Sequence, residues 1–120
     1  ASNLFGDILT DIGAMITGSL GLASSGNINP NKSVPSMFEP THGSAPDIAG
    51  KGVANPMAQI LTTSMMFHHL GLGVASQQIN DAVLQVLNEG ETLTPDLGGT
   101  SSTDSVGEAI RNLIKKNGSI

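Results

Sequence analysis

The chain has 120 residues and a mass of 12.2 kDa, the size of one compact domain. Its net charge of −5, with only five basic residues, leaves no basic patch for neutralising a phosphate polymer and excludes nucleic-acid binding. The absence of Cys excludes disulfides, thiolate metal sites and a Cys nucleophile within it, and no apolar run is long enough to span a bilayer. No charged leader precedes an apolar core, so the expected compartment is the cytoplasm, with no membrane association.

In chain order, Phe5, Ile8, Leu9, Ile12 and Ile16 recur at offsets of three and four, predicting an amphipathic helix over 6–17 that Gly18 and Gly21 end. Asp7 and Asp11 lie one turn apart, away from that stripe. The segment from Ser19 to Ser36 is turn-rich, and VPSMF reads as a short buried strand. A long stretch of Gly, Pro and small polar residues follows, MFEPTHGSAPDIAGKGVANP. Asn55-Pro56 reads as a helix start, Asn as N-cap and Pro as first helical residue. That helix is expected to reach Leu70, to be buried on most sides, and to be stopped by Gly71 and Gly73. A third helix is expected over 74–88. The fourth would start from a capping pattern of Ser101 with Asp104 and run to the stop at Gly118. One strand without a visible partner would leave its backbone groups unpaired, so its partners are expected elsewhere and the chain is read as a fragment.

Three groups of residues suggest chemistry. Two carboxylates at i and i+4 repel by about 0.2–0.5 kcal/mol on an exposed helix, whereas a hard cation such as Mg²⁺ or Mn²⁺ between them reverses the sign. Asp7 and Asp11 are therefore either metal ligands or ordinary decoration of a helix N-terminal half. In the long loop, His42, Gly43, Ser44 and Ala45 precede Asp47. Small residues let backbone N–H groups approach a phosphate, and an acid nearby can accept from ribose hydroxyls. The loop is neither a G-x-G-x-x-G fingerprint nor a P-loop, and composition alone would equally allow a generic surface loop. His68 and His69, at a helix end, read as capping or packing residues; Glu39 beside Pro40 reads as a site acid or a solvated one.

NLFGDILTD, MFEPTHGSAPDIAGKGVANP and PDLGGTSST together resemble the C-terminal part of the β-decarboxylating dehydrogenases, which include isopropylmalate, isocitrate, homoisocitrate, tartrate and D-malate dehydrogenases. SSGNINP followed by PSMFEP is most similar to the tartrate/D-malate branch. The resemblance implies an α/β, two-domain, isopropylmalate dehydrogenase-like fold, of which this chain would be a helix-rich C-terminal fragment. Residues 1–18 would be the last helix of the dimer-forming substrate domain, and 19–120 the C-terminal half of the cofactor domain. It implies Asp7 and Asp11 as metal-site acids for Mg²⁺ or Mn²⁺. It also implies Glu39 near the nicotinamide of NAD, and His42, Gly43, Ser44, Ala45, Asp47, Ile48 and Asn55 around the adenosine and phosphates, with Asp96 on the adenosine side. Thr41 and Met57 depart from the aliphatic residues such a pattern carries there.

The resemblance further implies that the intact enzyme is a homodimer oxidising a small 2-hydroxy acid, tartrate or D-malate, with 3-isopropylmalate as the alternative. The substrate-gripping arginines, a Tyr, a Lys and a further Asp are expected in the missing N-terminal part of the same enzyme. No catalytic residue is then expected in this chain, which alone should be inactive. A different reading is a stand-alone dinucleotide-binding or structural module, against which an open sheet edge and an uncovered apolar surface weigh.

Overall fold

The computed structural model describes residues 2–118, and the side chains of Asn3, Asp7 and Thr17 also lie outside the description. Four helices carry the fold: α1 (Asn3–Thr17), α2 (Met57–His69), α3 (Gly73–Glu89) and α4 (Thr103–Asn117). Short 3₁₀ turns occupy Leu20–Leu22, Pro46–Ile48 and Pro95–Leu97.

The sheet corrects the expectation of an unpaired strand. Met37–Phe38 (β2) pairs antiparallel with Gly26–Asn27 (β1), Gly26 facing Phe38 and Asn27 facing Met37. The partner was hidden because a Gly-Asn dipeptide carries no alternation of apolar residues. Between the strands Asn29 organises the connection: its Oδ1 accepts from the Asn31 N–H at 3.2 Å, and its Nδ2 donates to Ser33 Oγ and Val34 O. Lys32, in a left-handed conformation, donates from Nζ to the carbonyl of His69 at the end of α2, where a cation complements the helix dipole.

The core lies where α3 packs between α2 and α4. Met57, Ala82, Val83, Val86, Val106 and Ile110 are buried there, with Leu22, Leu93 and Leu97 packed around them. α2 is less enclosed than its apolar perimeter suggests: Met57, Ala58, Thr62 and Ser64 are buried, while Ile60, Leu61 and Met65 remain half-buried and Leu70 is exposed. Its neighbours among the described residues are α3, the small sheet and the first 3₁₀ turn, which cover only part of its circumference. Fully buried Ser64 donates to Ser76 across the α2–α3 contact at 2.9 Å.

Several boundaries shift by a residue for local reasons. α2 begins at Met57 rather than Pro56, and Asn55 caps it from outside, its Oδ1 accepting from the Met57 N–H at 3.0 Å. Gly73 does not stop a helix but starts α3. The cap of α4 is Ser102, whose Oγ accepts from the Ser105 N–H, in place of the Ser101–Asp104 pattern. Gly18 ends α1, whereas Gly21 lies inside the following 3₁₀ turn.

α1 stands apart from this core. Its described contact is with the turn at Leu20–Leu22, and Leu4, Phe5, Ile8, Leu9, Ile12, Met15 and Ile16 are all exposed. The radius of gyration, 15.1 Å, exceeds the roughly 13.6 Å of a compact chain of this length, as an outlying helix requires.

Candidate functional site

The long loop and the turns on either side of the core enclose a cavity of about 790 Å³. One wall is the loop itself, from His42 to Ala45, from Ile48 to Gly50 and from Gly52 to Asn55; the others are Ser19 to Gly21, Asp96, and Thr103 and Asp104 at the start of α4. The loop is pinned at its far end by α4: the Thr103 N–H donates to Gly52 O at 2.8 Å and its hydroxyl to Ala54 O at 2.5 Å. Capping of α2 by Asn55 fixes the same end from the other side.

The backbone of the wall is unusually open. Gly50 and Gly52 have φ of +76° and +66°, conformations that L side chains rarely adopt, and a Cβ built on either meets nothing within 4 Å. Ala45 is left-handed as well, with φ 44° and ψ 60°, and the 3₁₀ turn of Pro46–Ile48 starts from it. His42 donates from Nδ1 to the Gly43 carbonyl at 3.0 Å.

The strongest polar feature is at Asp96. Its Oδ2 accepts from Ser19 Oγ and, at 3.0 Å, from Asn55 Nδ2; its Oδ1 accepts from Thr94 Oγ1. Burial alone would raise this carboxyl, but the hydrogen bonds from Ser19, Thr94 and Asn55 outweigh it and hold the group below its ordinary value, so it is ionised at neutral pH. Gly21 sits against this pair. A Cβ there would lie 2.7 Å from the Asn55 Cβ and 2.8 Å from Asp96 Oδ2, so a side chain would force this pair to shift.

Of the residues expected at a nucleotide site, the structure brings His42, Gly43, Ser44, Ala45, Ile48, Asn55 and Asp96 to one cavity. Asp47 is exposed on the 3₁₀ turn beside Ile48, and Glu39 is exposed just beyond β2; neither lines the cavity. Ser19, Gly21, Thr94 and Thr103 belong to the arrangement without having been singled out. Their only trace in the sequence is the small-residue text on either side of them, GSLG and TPDLGGTSST.

Asp7 and Asp11 occupy positions i and i+4 of α1, so their Cα atoms share a face. Asp11 is exposed; the side chain of Asp7 is outside the described residues. Among the described residues, no group of three or more His, Asp or Glu side chains stands together. The donor chemistry suits a hard cation, which takes six or more oxygens and would need ligands from elsewhere. His69 is a packing residue: its Nε2 lies 3.2 Å from Ser36 Oγ, and its ring is 5.5 Å from that of Phe38.

The fold is shared with solved dehydrogenases. The chain superposes on isocitrate dehydrogenase from Methylococcus capsulatus with a TM-score of 0.87 and 42% identity, covering 94% of this chain and 33% of that one. It superposes on the β-decarboxylating dehydrogenase of Thermococcus kodakarensis with a TM-score of 0.82 and 46% identity, covering 95% and 32%. The fold is thus that of the isocitrate/isopropylmalate dehydrogenases, and the chain belongs to that family, which matches residues 1–110. It is 52% identical to the 3-isopropylmalate dehydrogenase of Thermobifida fusca over 116 residues, 97% of this chain and 32% of that protein. The same identity and coverage hold for the probable tartrate dehydrogenase/decarboxylase of Bacillus subtilis. The chain spans about a third of the length of the curated relatives it matches. No helix among the described residues is long and apolar enough to cross a membrane.

Proposed function

We propose that the full-length protein carrying this chain is an NAD-linked, divalent metal-dependent dehydrogenase of a small 2-hydroxy acid, cytoplasmic and homodimeric, and that this chain supplies its adenosine and phosphate cradle. The observation that carries the reading is the cavity bounded by Asp96 and by the small-residue loop from His42 to Asn55, with its positive-φ positions at Ala45, Gly50 and Gly52. In this reading residues 19–120 form the returning half of the cofactor domain. Residues 1–18 belong to the substrate domain, whose α1 presents an apolar face too exposed to remain solvated.

A bound NAD⁺ would supply the hydride acceptor for oxidation at the substrate's C2, and a divalent cation would supply Lewis acidity for that oxidation. The work of this chain is to bind and orient. Gly43, Gly50 and Gly52 leave room for backbone approach to phosphate oxygens, and Ile48 offers an apolar edge to the adenosine. Asp47 accepts from the ribose hydroxyls, Glu39 lies toward the nicotinamide, and Asp7 and Asp11 supply two carboxylates to the cation. The groups that grip the substrate and move protons come from outside this chain, which by itself is inactive.

Tartrate or D-malate is the favoured substrate, from SSGNINP followed by PSMFEP. The equal identity to a 3-isopropylmalate dehydrogenase supports that acid as the second reading. NADH absorbance with D-malate, tartrate and 3-isopropylmalate plus Mn²⁺ tests both on the full-length protein, and no turnover with any of the three sinks the proposal. A carboxylate at the ribose repels the 2′-phosphate of NADP, so kcat/KM should favour NAD by roughly a hundredfold. Asp47→Lys with Ile48→Tyr should move the ratio toward NADP; equal values in the unmutated protein would remove Asp47 from the ribose.

A further inference from the structure

Thr94, Asp96 and Asn55 form a line of hydrogen bonds that starts in the interior and ends at the cavity. We propose that Asp96 is a positioning residue, acting on the nucleotide through Asn55 rather than accepting a hydrogen bond from the nucleotide itself. The inference rests on the cavity being the nucleotide site.

A carboxylate oxygen offers two lone-pair sites. Both sites of Oδ2 are taken, by Ser19 and by Asn55, and Oδ1 is engaged by Thr94. Three of the four sites are thus engaged by donors the protein already supplies, and a ligand hydroxyl is left only the second site of Oδ1. The amide of Asn55, in contrast, is held at both ends: Nδ2 donates to Asp96 and Oδ1 accepts from Met57, each at 3.0 Å. Flipped, it would set its oxygen against a carboxylate and its NH₂ against a backbone N–H, so the ionised Asp96 fixes which way it faces. One N–H of that amide has no acceptor among the described residues, on a residue that lines the cavity. Thr94 is fully buried and does not line the cavity; its hydroxyl reaches the site only by way of Asp96. The pair occupies the space that a side chain at Gly21 would need, since a Cβ there would lie within 2.8 Å of both Asn55 and Asp96.

The experiment is calorimetric titration of ADP-ribose into the full-length protein and its variants. Asp96→Asn should weaken binding roughly tenfold, the scale of one charge-assisted hydrogen bond. Thr94→Val, which keeps the buried volume and loses the hydroxyl, should weaken it about threefold or more, and Thr94→Ser should restore it to within about twofold. In an Asn55→Ala background both losses should shrink below about twofold, because the group through which they act is gone. Losses that persist undiminished in that background, or a Thr94→Val protein that binds as the unmutated one does, overturn the assignment of Asp96 alone. If Asp96→Asn does not fold, the Thr94 variants decide by the same comparison. An unmutated protein that does not bind ADP-ribose overturns the cavity reading and this inference together.

Discussion

α1 and α4 are both 15 residues long, and both carry apolar residues three and four apart. Val106 and Ile110 of α4 are 0% and 2% exposed, whereas Ile12 and Ile16 of α1 are 52% and 80% exposed. Periodicity says which face of a helix will be covered and nothing about what covers it. For α4 the cover is α3, joined to it by the turn-rich connection of residues 90–102. For α1 the cover among the described residues is the turn at Leu20–Leu22, Ala14 is buried, and the large apolar residues of its stripe face solvent.

The contrast can be broken by truncating each stripe in the full-length protein and following urea denaturation. Ile110→Ala should cost about 2–5 kcal/mol, as a fully buried Ile does. If the remainder of the protein covers α1, Ile16→Ala should approach that range; a change within about 0.5 kcal/mol would leave α1 a solvated face. The next effect lies at the turn joining the two regions. Gly21→Ala should destabilise by about 1–3 kcal/mol, since its Cβ meets Asn55 and Asp96 inside van der Waals distance. A neutral Gly21→Ala would show that the turn yields. Smaller still is the cap of α4: Ser102→Ala removes the acceptor of the Ser105 N–H and should cost about 1 kcal/mol in the same assay.

The last sharpening concerns pH. The Asp96 carboxyl is lowered in the folded protein, so its contribution to stability is fully present above the ordinary value of 3.8 and is lost as pH falls through the lowered folded value. Asp96→Asn should remove that component of acid destabilisation. An unchanged difference in stability between neutral and acid pH would show that the three hydrogen bonds do not hold the carboxylate in solution.

The helices were legible because each imposes a repeat of 3.6 residues on its own sequence, and the structure alters their ends by one to three residues, the most at α1, which starts at Asn3 rather than Gly6. β1 was not legible, since two residues of Gly and Asn have no pattern to show. At the site, the loop residues drew notice through their composition and their resemblance to the dehydrogenases. Ser19 and Thr94 did not, because their importance is a matter of meeting. Ser19 bonds Asp96 across 77 positions, and Thr94 matters only once Asp96 is known to hold Asn55 across 41. Such links arise from how α3 brings distant turns together, and a single sequence records no such distance. Gly21 illustrates the same limit: read along the chain it punctuates, but in space it makes room.

Ala45 has one more consequence. Glycine would adopt φ 44° without steric penalty, yet the chain carries a methyl group there. That methyl makes the folded loop more strained than a glycine would, and it narrows the shapes the loop can sample before any ligand arrives. Part of the ordering that a floppy loop would have to undergo on association is thus completed when the protein folds. Local discomfort in the empty loop becomes a smaller loss of entropy at the moment of binding.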